Sequence, residues 1–180
     1  MYKRQKEALK DEPIDVAYSS PMKRAYETGK IIMEGRNASI ITDDGLREID
    51  CGKWEGMNGK EVEERFPVQL YLWGNCPEEC KIEGGDTFQE VSDRIVETFW
   101  QIVNKNRGKT ILITSHMICL TLLMIHFMGK RINDIWNVKP ICNAAVNCIE
   151  VSDNNQVEIT VWSDDSFIPE EDRIGSCLLY

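Results

Sequence analysis

One segment constrains the fold more than any other, because residues 110–128 run for nineteen positions without a charge. Its first part, Ile111–Thr114, consists of β-favouring residues, whereas the part after Ser115 and His116 favours a helix. The length approaches that of a membrane span, but three threonines, a serine and two histidines interrupt it. We therefore predict no membrane partner, and a buried strand that leads directly into a buried helix. A near-continuous apolar strand is typical of a parallel sheet that is covered on both faces.

The rest of the sequence alternates predicted strands and helices. Helices are predicted to begin at Ser20, which can cap free N–H groups, and at Thr87, after which apolar residues recur at the helical period. A turn-forming run at 152–155 separates two strands that we expect to pair as an antiparallel hairpin. This order predicts an α/β fold, a three-layer sandwich whose mostly parallel sheet carries helices on both faces. The predicted strands are 14–18, 38–43, 110–114, 144–151 and 157–162.

The 180 residues fit one domain of ordinary size. We expect this domain to extend over residues 1–163 and to be followed by a polar, loose tail at residues 164–180. Within the domain, residues 68–84 combine a Tyr-Leu-Trp run with proline and two cysteines, which favours an irregular insert or a lid.

The charge of the chain excludes one class of partner. The sequence has 30 acidic and 21 basic residues and a net charge of −9, whereas a general nucleic-acid binder needs a basic face. A small anion remains compatible with this charge, because a pocket can be locally positive on an acidic protein.

The seven cysteines are scattered, and the polar opening of the chain lacks a secretory signal, so a cytoplasmic location with reduced thiols is expected. Cys76 and Cys80 have the spacing of metal ligands, but no second cysteine or histidine pair is placed to complete four ligands. We therefore predict no metal site.

Two predicted strand ends carry residues suited to an anion. Arg24 follows the first strand in the first turn of a helix, and Ser115 and His116 follow the uncharged strand. Ligands of open α/β sheets bind beyond the carboxyl ends of the strands, and helix N-termini favour phosphate. Taken alone, each residue also has an ordinary interpretation: a solvated arginine for Arg24, a helix cap for His116 and a loop carboxylate for Glu48.

Four motifs in order resemble those of the histidine phosphatase superfamily, the phosphoglycerate-mutase-like group. They are YSSPMKRAYETGKII, LREIDCGKWEG, GGDTFQEVSDR and ILITSH. Their spacing is similar to that of the compact phosphatases of the α-ribazole phosphatase type, and the resemblance extends from the first helix to about Val161. It implies hydrolysis of a small phosphorylated molecule through a phosphohistidine, with no metal and no organic cofactor.

The resemblance also implies roles for particular residues. In the family, a histidine of an Arg-His-Gly motif attacks phosphorus, arginines and a second histidine hold the phosphoryl group, and a carboxylic acid protonates the leaving oxygen. His116 and Glu48 correspond to the second histidine and the proton donor, so they are the catalytic candidates. Arg24, Ser20 and His116 are the phosphate-binding candidates. A protonated His116 would neutralise phosphate charge, and Glu48 would need a raised pKa to hold its proton.

The sequence departs from the family pattern at two points. It contains two histidines, His116 and His126, and no Arg-His-Gly motif, so we expect the family's first, central strand to be missing and the chain to be inactive. Met117 stands where the family usually has glycine, which would weaken the pocket. Because open strand edges leave backbone groups unpaired, we expect a rearranged sheet or a homodimer that completes the sheet.

Three interpretations remain open from the sequence. The chain is a phosphatase-family domain without activity, or a working phosphatase whose nucleophile comes from a segment outside these 180 residues. The third is a non-enzymatic interaction module that keeps an anion site.

Overall fold

The computed structural model of the protein describes residues 2–170, and their side chains from residue 4 onwards. Three strands form a parallel sheet in the order β2-β1-β3. Ala17 in the central strand lies opposite Ile40 on one side and Leu112 on the other. A separate antiparallel sheet consists of β4 and β5, so the predicted parallel sheet and hairpin are both confirmed. The strands are β1 (Val16–Ser19), β2 (Ile40–Thr42), β3 (Ile111–Thr114), β4 (Val146–Val151) and β5 (Val157–Asp164).

Helices flank the parallel sheet. They are α1 (Tyr2–Ala8), α2 (Lys23–Met33), α3 (Gly59–Arg65), α4 (Pro67–Asn75), α5 (Phe88–Lys105) and α6 (Met117–Phe127), with single 3₁₀ turns at Asp44–Leu46, Gly52–Trp54, Pro77–Glu79 and Ile132–Asp134. No helix within the described part of the chain has both the length and the apolar character needed to cross a membrane.

The two faces of the sheet are covered by different helices, because successive side chains of a strand point to opposite faces. Tyr18, Ile111 and Ile113 belong to the hydrophobic cluster that contains the buried side chains of α5 and α6. On the opposite face α2 lies close to β3: a methyl group at Gly29 would be 3.0 Å from the Thr114 hydroxyl oxygen. The α/β layering predicted from the alternation of elements is therefore present.

Helix α5 shows why the sequence pattern was informative. Thr87 accepts a hydrogen bond from the backbone N–H of Glu90, and the Glu90 carboxylate accepts one from the backbone N–H of Thr87. This capping box satisfies two N–H groups that a helix start leaves free. The predicted apolar stripe is buried, with Phe88, Val91 and Ile95 no more than 1% exposed.

Two local expectations differ from the structure: the start of α2 and the burial of β3. Helix α2 begins at Lys23, and Ser20 is not its cap, since the Ser20 hydroxyl lies two residues before the cap position and bonds elsewhere. The side chains of β3 at Ile111, Leu112 and Ile113 are only half-buried. The reason is that β3 pairs with β1 alone among the described strands, and so lies at a sheet edge rather than inside.

Two predicted segments also need correction. Residues 68–84 are not irregular throughout, because α4 covers the first part and Trp73 is packed in the core. Of the predicted tail at 164–180, residues 171–180 lie outside the described residues. Within the described part, Ile168 is 1% exposed, so the segment packs on the domain there rather than lying loose.

Candidate active site

His116 lies where β3 passes into α6. Its backbone is extended, at φ −131° and ψ 165°, and it occupies the cap position of α6 without a capping side-chain bond. The side chain is 6% exposed. Its Nε2 lies 2.8 Å from the hydroxyl oxygen of Ser20, and its Nδ1 lies 3.1 Å from the Nε of Arg24. The predicted candidates at the ends of β1 and β3 are therefore in direct contact.

These contacts assign the tautomer of His116. A guanidinium only donates hydrogen bonds, so Nδ1 accepts from Arg24 and carries no proton. The remaining ring proton is then on Nε2 and is donated to Ser20. Burial lowers the pKa of His116 to about 4, and the positive charges of Arg24, Arg47 and Arg94 contribute in the same direction. The imidazole is therefore neutral at pH 7 in the unliganded site, whereas the sequence suggested a protonated one.

Ser20 is fully buried at the carboxyl end of β1. Besides its contact with His116, its hydroxyl oxygen accepts from the backbone N–H of Met22 at 3.2 Å. Next to it, the Thr114 hydroxyl donates to the Ser19 hydroxyl at 2.9 Å, and Ser19 donates to the carbonyl of Ser20 at 2.8 Å. This chain of hydroxyls fixes the end of β1 against the end of β3 and holds Ser20 in place.

Arg24 belongs to the first turn of α2 and is exposed. Its Nε is bound to His116, whereas its Nη atoms form no hydrogen bond to any residue that the structure describes. It lines an open cleft of about 520 Å³ together with Met22, Lys23 and Glu27. The planar guanidinium therefore presents free donors to the cleft, in a geometry that suits phosphate oxygens.

Glu48 binds the start of α6. Its carboxylate accepts from the backbone N–H groups of Ile118 at 3.3 Å and Cys119 at 3.2 Å, and from that of Ile49 at 3.1 Å. Burial raises the pKa of Glu48 and outweighs the opposing effect of these N–H groups and of Arg24. A carboxyl group with a raised pKa is suited to hold a proton for donation, so the direction of the shift agrees with the role suggested for Glu48.

Arg94 positions the loop that carries Glu48, a role that the sequence analysis missed. It donates to three backbone carbonyl oxygens in the 44–47 loop at 2.8–3.3 Å, and its Nη2 lies 3.3 Å from a carboxylate oxygen of Asp86. Arg94 is the last residue of the GGDTFQEVSDR motif, and this position was its only signal. Ser115 supports the same loop by donating to the carbonyl of Leu46 at 2.7 Å.

The other residues of the motifs serve the framework. Trp54 is buried beside Trp73, with ring centroids 5.5 Å apart. Met117, which stands at the position of the usual glycine, packs against the hydrophobic cluster. His126 is exposed near the other end of α6 and does not approach His116. Across residues 2–170, no group of three or more His, Cys, Asp or Glu side chains is placed to hold a metal ion.

The fold and this arrangement define a class of protein: an α/β domain in which an arginine, a serine and a histidine meet at the carboxyl ends of parallel strands. The chain belongs to the histidine phosphatase superfamily (branch 1), which matches residues 1–165. The family predicted from the four motifs is therefore confirmed.

Individual relatives are phosphatases by name. The chain is 29% identical to phosphoserine phosphatase 1 of Hydrogenobacter thermophilus over 150 residues, which cover 83% of this chain and 70% of that protein. It is 30% identical to 2-carboxy-D-arabinitol-1-phosphatase of Triticum aestivum over 105 residues, which cover 58% of this chain and 21% of that one. The chain thus matches most of the first relative and about a fifth of the second.

Solved structures agree with the fold. The structure of Bacillus stearothermophilus YhfR matches with a TM-score of 0.89 and 29% identity, over 92% of this chain and 82% of that one. The α-ribazole phosphatase from Shigella flexneri matches with a TM-score of 0.78 over 91% of this chain and 80% of that one. At 20% identity, the second likeness shows the fold alone.

Proposed function

We propose that Arg24, Ser20 and His116 bind the phosphoryl group of a small phosphorylated molecule, with Glu48 as the proton donor to its leaving oxygen. The observation that carries this proposal is the pair of contacts on His116, from Arg24 Nε and to Ser20, which joins the ends of β1 and β3. The free Nη donors of Arg24 and the positive end of α6 favour an anion there. Phosphatase names among the relatives support the same ligand class.

We infer that a protein of these 180 residues does not hydrolyse phosphomonoesters by itself. A nucleophilic imidazole needs a nitrogen lone pair that is free to attack. In His116 the Nδ1 lone pair faces Arg24, and Nε2 carries the proton that Ser20 accepts. His126 is the other histidine of the sequence, and it lies ten residues further along α6, about 15 Å away by the helical rise.

An assay with p-nitrophenyl phosphate and phosphoserine tests this inference. We expect the rate with the unmodified chain to equal that with a His116→Ala variant, while inorganic phosphate still binds the unmodified chain. Turnover that disappears in His116→Ala would refute the inferred inactivity but leave the proposed site intact. Failure of phosphate to bind would reject the site itself.

A second candidate function is hydrolysis with a nucleophile from an additional strand. The specific observation that favours it is the pair of open strand edges: within residues 2–170, β3 pairs only with β1 and β4 pairs only with β5. The half-buried apolar side chains of β3 also resemble those of a strand that lacks one neighbour.

This candidate can be tested by complementation. The chain is mixed with a synthetic β-strand peptide that ends in Arg-His-Gly, and a peptide that ends in Arg-Ala-Gly serves as the control. Phosphatase activity with the histidine peptide alone would support a supplied nucleophile. Equal, background rates with both peptides would reject it.

We also propose a homodimer, a lid and a cytoplasmic location. The open edge of β3 supports pairing between two copies, because unpaired strand edges are sites of strand addition. Residues 68–84 are proposed as the lid of a domain that covers residues 1–163, and the exposed Val68 and Tyr71 of α4 support a surface role for this segment. The six cysteines of the described chain are all unpaired, which supports a reducing compartment.

A further inference from the structure

A second cavity, of about 240 Å³, lies at the far end of α6 from His116. Its walls come from three places: the turn around Glu78, the first turns of α5, and the end of α6 with the residues that follow it. Since α6 rises about 1.5 Å per residue, His126 in this cavity lies about 15 Å from the candidate active site. The cavity is therefore a separate feature of the fold.

The polar side chains of this cavity are Glu78, Gln89 and Ser92 together with three basic residues. His126, Lys130 and Arg131 line it, and all three are exposed. The Nη2 of Arg131 donates to a carboxylate oxygen of Glu78 at 3.0 Å, which holds the Arg131 side chain in place. The ammonium group of Lys130 makes no hydrogen bond or ion pair with any residue in the described range, so it is available to a ligand. With the Glu78 carboxylate counted, Lys130 and Arg131 leave one net positive charge on this lining, on a chain whose net charge is −9.

Ser92 adds a neutral polar group to the lining of this cavity. Its side chain is 8% exposed and lines the cavity. Its hydroxyl makes no hydrogen bond with any of the residues that the structure places, although Thr121, a comparably buried hydroxyl in α6, donates to the carbonyl of Met117. The Ser92 hydroxyl is not among the fully buried polar atoms without a partner, which in the described chain are Gln5 Oε1 and Trp54 Nε1, so it is open to the cavity and keeps a donor and an acceptor for a ligand.

The chemistry of the walls defines the ligand class. Lys130 and Arg131 suit a carboxylate, and the Ser92 hydroxyl suits a neutral polar group such as an alcohol on the same molecule. The volume corresponds to about eight water molecules, at roughly 30 Å³ each. Three buried aliphatic side chains on the floor would contact the carbon skeleton. We propose that this cavity binds a small hydroxycarboxylate, and the proposal does not depend on the function proposed for the first site.

Titration calorimetry with malate tests the proposal on the whole chain. We expect one malate to bind, with an affinity at least tenfold weaker in Lys130→Gln and several-fold weaker in Ser92→Ala. The matched control is Lys105→Gln, because Lys105 is an exposed lysine at the end of α5, outside both sites. This control should bind malate as the unmodified chain does.

An Arg24→Ala variant separates the two sites. Malate binding that persists in Arg24→Ala and weakens in Lys130→Gln supports the second site. Binding that is lost in Arg24→Ala and kept in Lys130→Gln would assign malate to the first site and overturn the proposal. Absence of malate binding to the unmodified chain, with its folded spectrum intact, would overturn it as well.

Discussion

At the scale of the residue, the chemical role of His116 follows from its neighbours in the fold rather than from its position in the sequence. The sequence placed it at the start of a helix, which fits a cap as well as a ligand. The structure adds the guanidinium of Arg24 on one ring nitrogen and the hydroxyl of Ser20 on the other. Burial and the nearby arginines keep the ring neutral, so the unliganded site holds its positive charge on Arg24.

The low pKa of His116 predicts an acid-sensitive fold. Its pKa of about 4 lies below the ordinary 6.5, so the folded state binds fewer protons than the unfolded state between these values. Above pH 6.5 His116 is neutral in both states and does not reduce the free energy of unfolding. As the pH falls from 6.5 toward 4, the unfolded state takes up a proton that the folded state does not bind, so the free energy of unfolding decreases, by roughly 3 kcal/mol at most. Urea unfolding across this range should show a steeper loss for the unmodified chain than for His116→Gln. Equal slopes would contradict the low pKa.

Removal of Arg24 is predicted to raise the pKa of His116. An Arg24→Met change removes both a nearby positive charge and the donor to Nδ1, so the pKa should move toward 6.5. Lys23→Met is the matched control, since it removes the same charge from the neighbouring exposed position. Both are measured from the pH dependence of the His116 ring resonances. A similar pKa in both variants would exclude a direct Arg24–His116 interaction.

Glu48 is predicted to support the fold as well as the proposed chemistry. A Glu48→Ala change leaves three backbone N–H groups without their acceptor, which should cost on the order of 1–3 kcal/mol of unfolding free energy. Glu64→Ala, an exposed change on α3, should stay within about 0.5 kcal/mol of the unmodified chain. Chemical denaturation compares them. Equal stabilities would mean that the Glu48 contacts do not persist in solution.

At the scale of the element, the sequence predicted what depends on local pattern. The capping box and apolar stripe of α5 lie within one continuous segment, so the helix could be read directly. The start of α2 could not, because Ser20 bonds His116, which is 96 residues away in the chain. The edge position of β3 depends on pairing partners, which an apolar run does not specify.

The loop that carries Glu48 is predicted to depend on Gly45. A methyl group at this position would overlap the Thr98 hydroxyl of α5 and lie 2.9 Å from its Cβ. Gly45→Ala should therefore destabilise the fold by about 1–3 kcal/mol, and a second change, Thr98→Ala, should restore part of the loss. Gly74→Ala in α4 meets nothing within 4 Å and should stabilise slightly, by up to about 1 kcal/mol. If thermal unfolding gave Gly45→Ala a melting temperature equal to or higher than that of Gly74→Ala, the close approach of the Gly45 loop to α5 would be contradicted.

At the scale of the whole molecule, the sequence predicted the order of layers and the family, whereas the supporting contacts of the site came from the structure. Arg24, Ser20, Glu48 and His116 could be selected from the sequence because each lies in a motif that contains or follows a predicted strand. Arg94 was missed because it acts through backbone carbonyls of a distant loop. The division into two separate sheets was likewise a matter of long-range pairing.

The open sheet edges predict association of the whole chain. If two copies pair through β3, sedimentation should give a mass near twice 20.7 kDa. A Leu112→Pro change would block pairing through β3, but it could also unfold the parallel sheet. Hydrogen exchange of the unmodified chain therefore provides the second measurement. Amides of β3 should be protected at high concentration and should exchange faster on dilution. A monomer at all concentrations would contradict the homodimer.

We propose that phosphate binds beside Arg24 and His116, and a phosphate titration followed on the His116 ring resonances is the decisive test of this claim. A bound dianion next to a neutral imidazole should favour its protonated form, so saturation with phosphate should raise the pKa of His116 from about 4. The same titration of Arg24→Met should require at least tenfold more phosphate. His116 resonances that stay unchanged at saturating phosphate would contradict the claim.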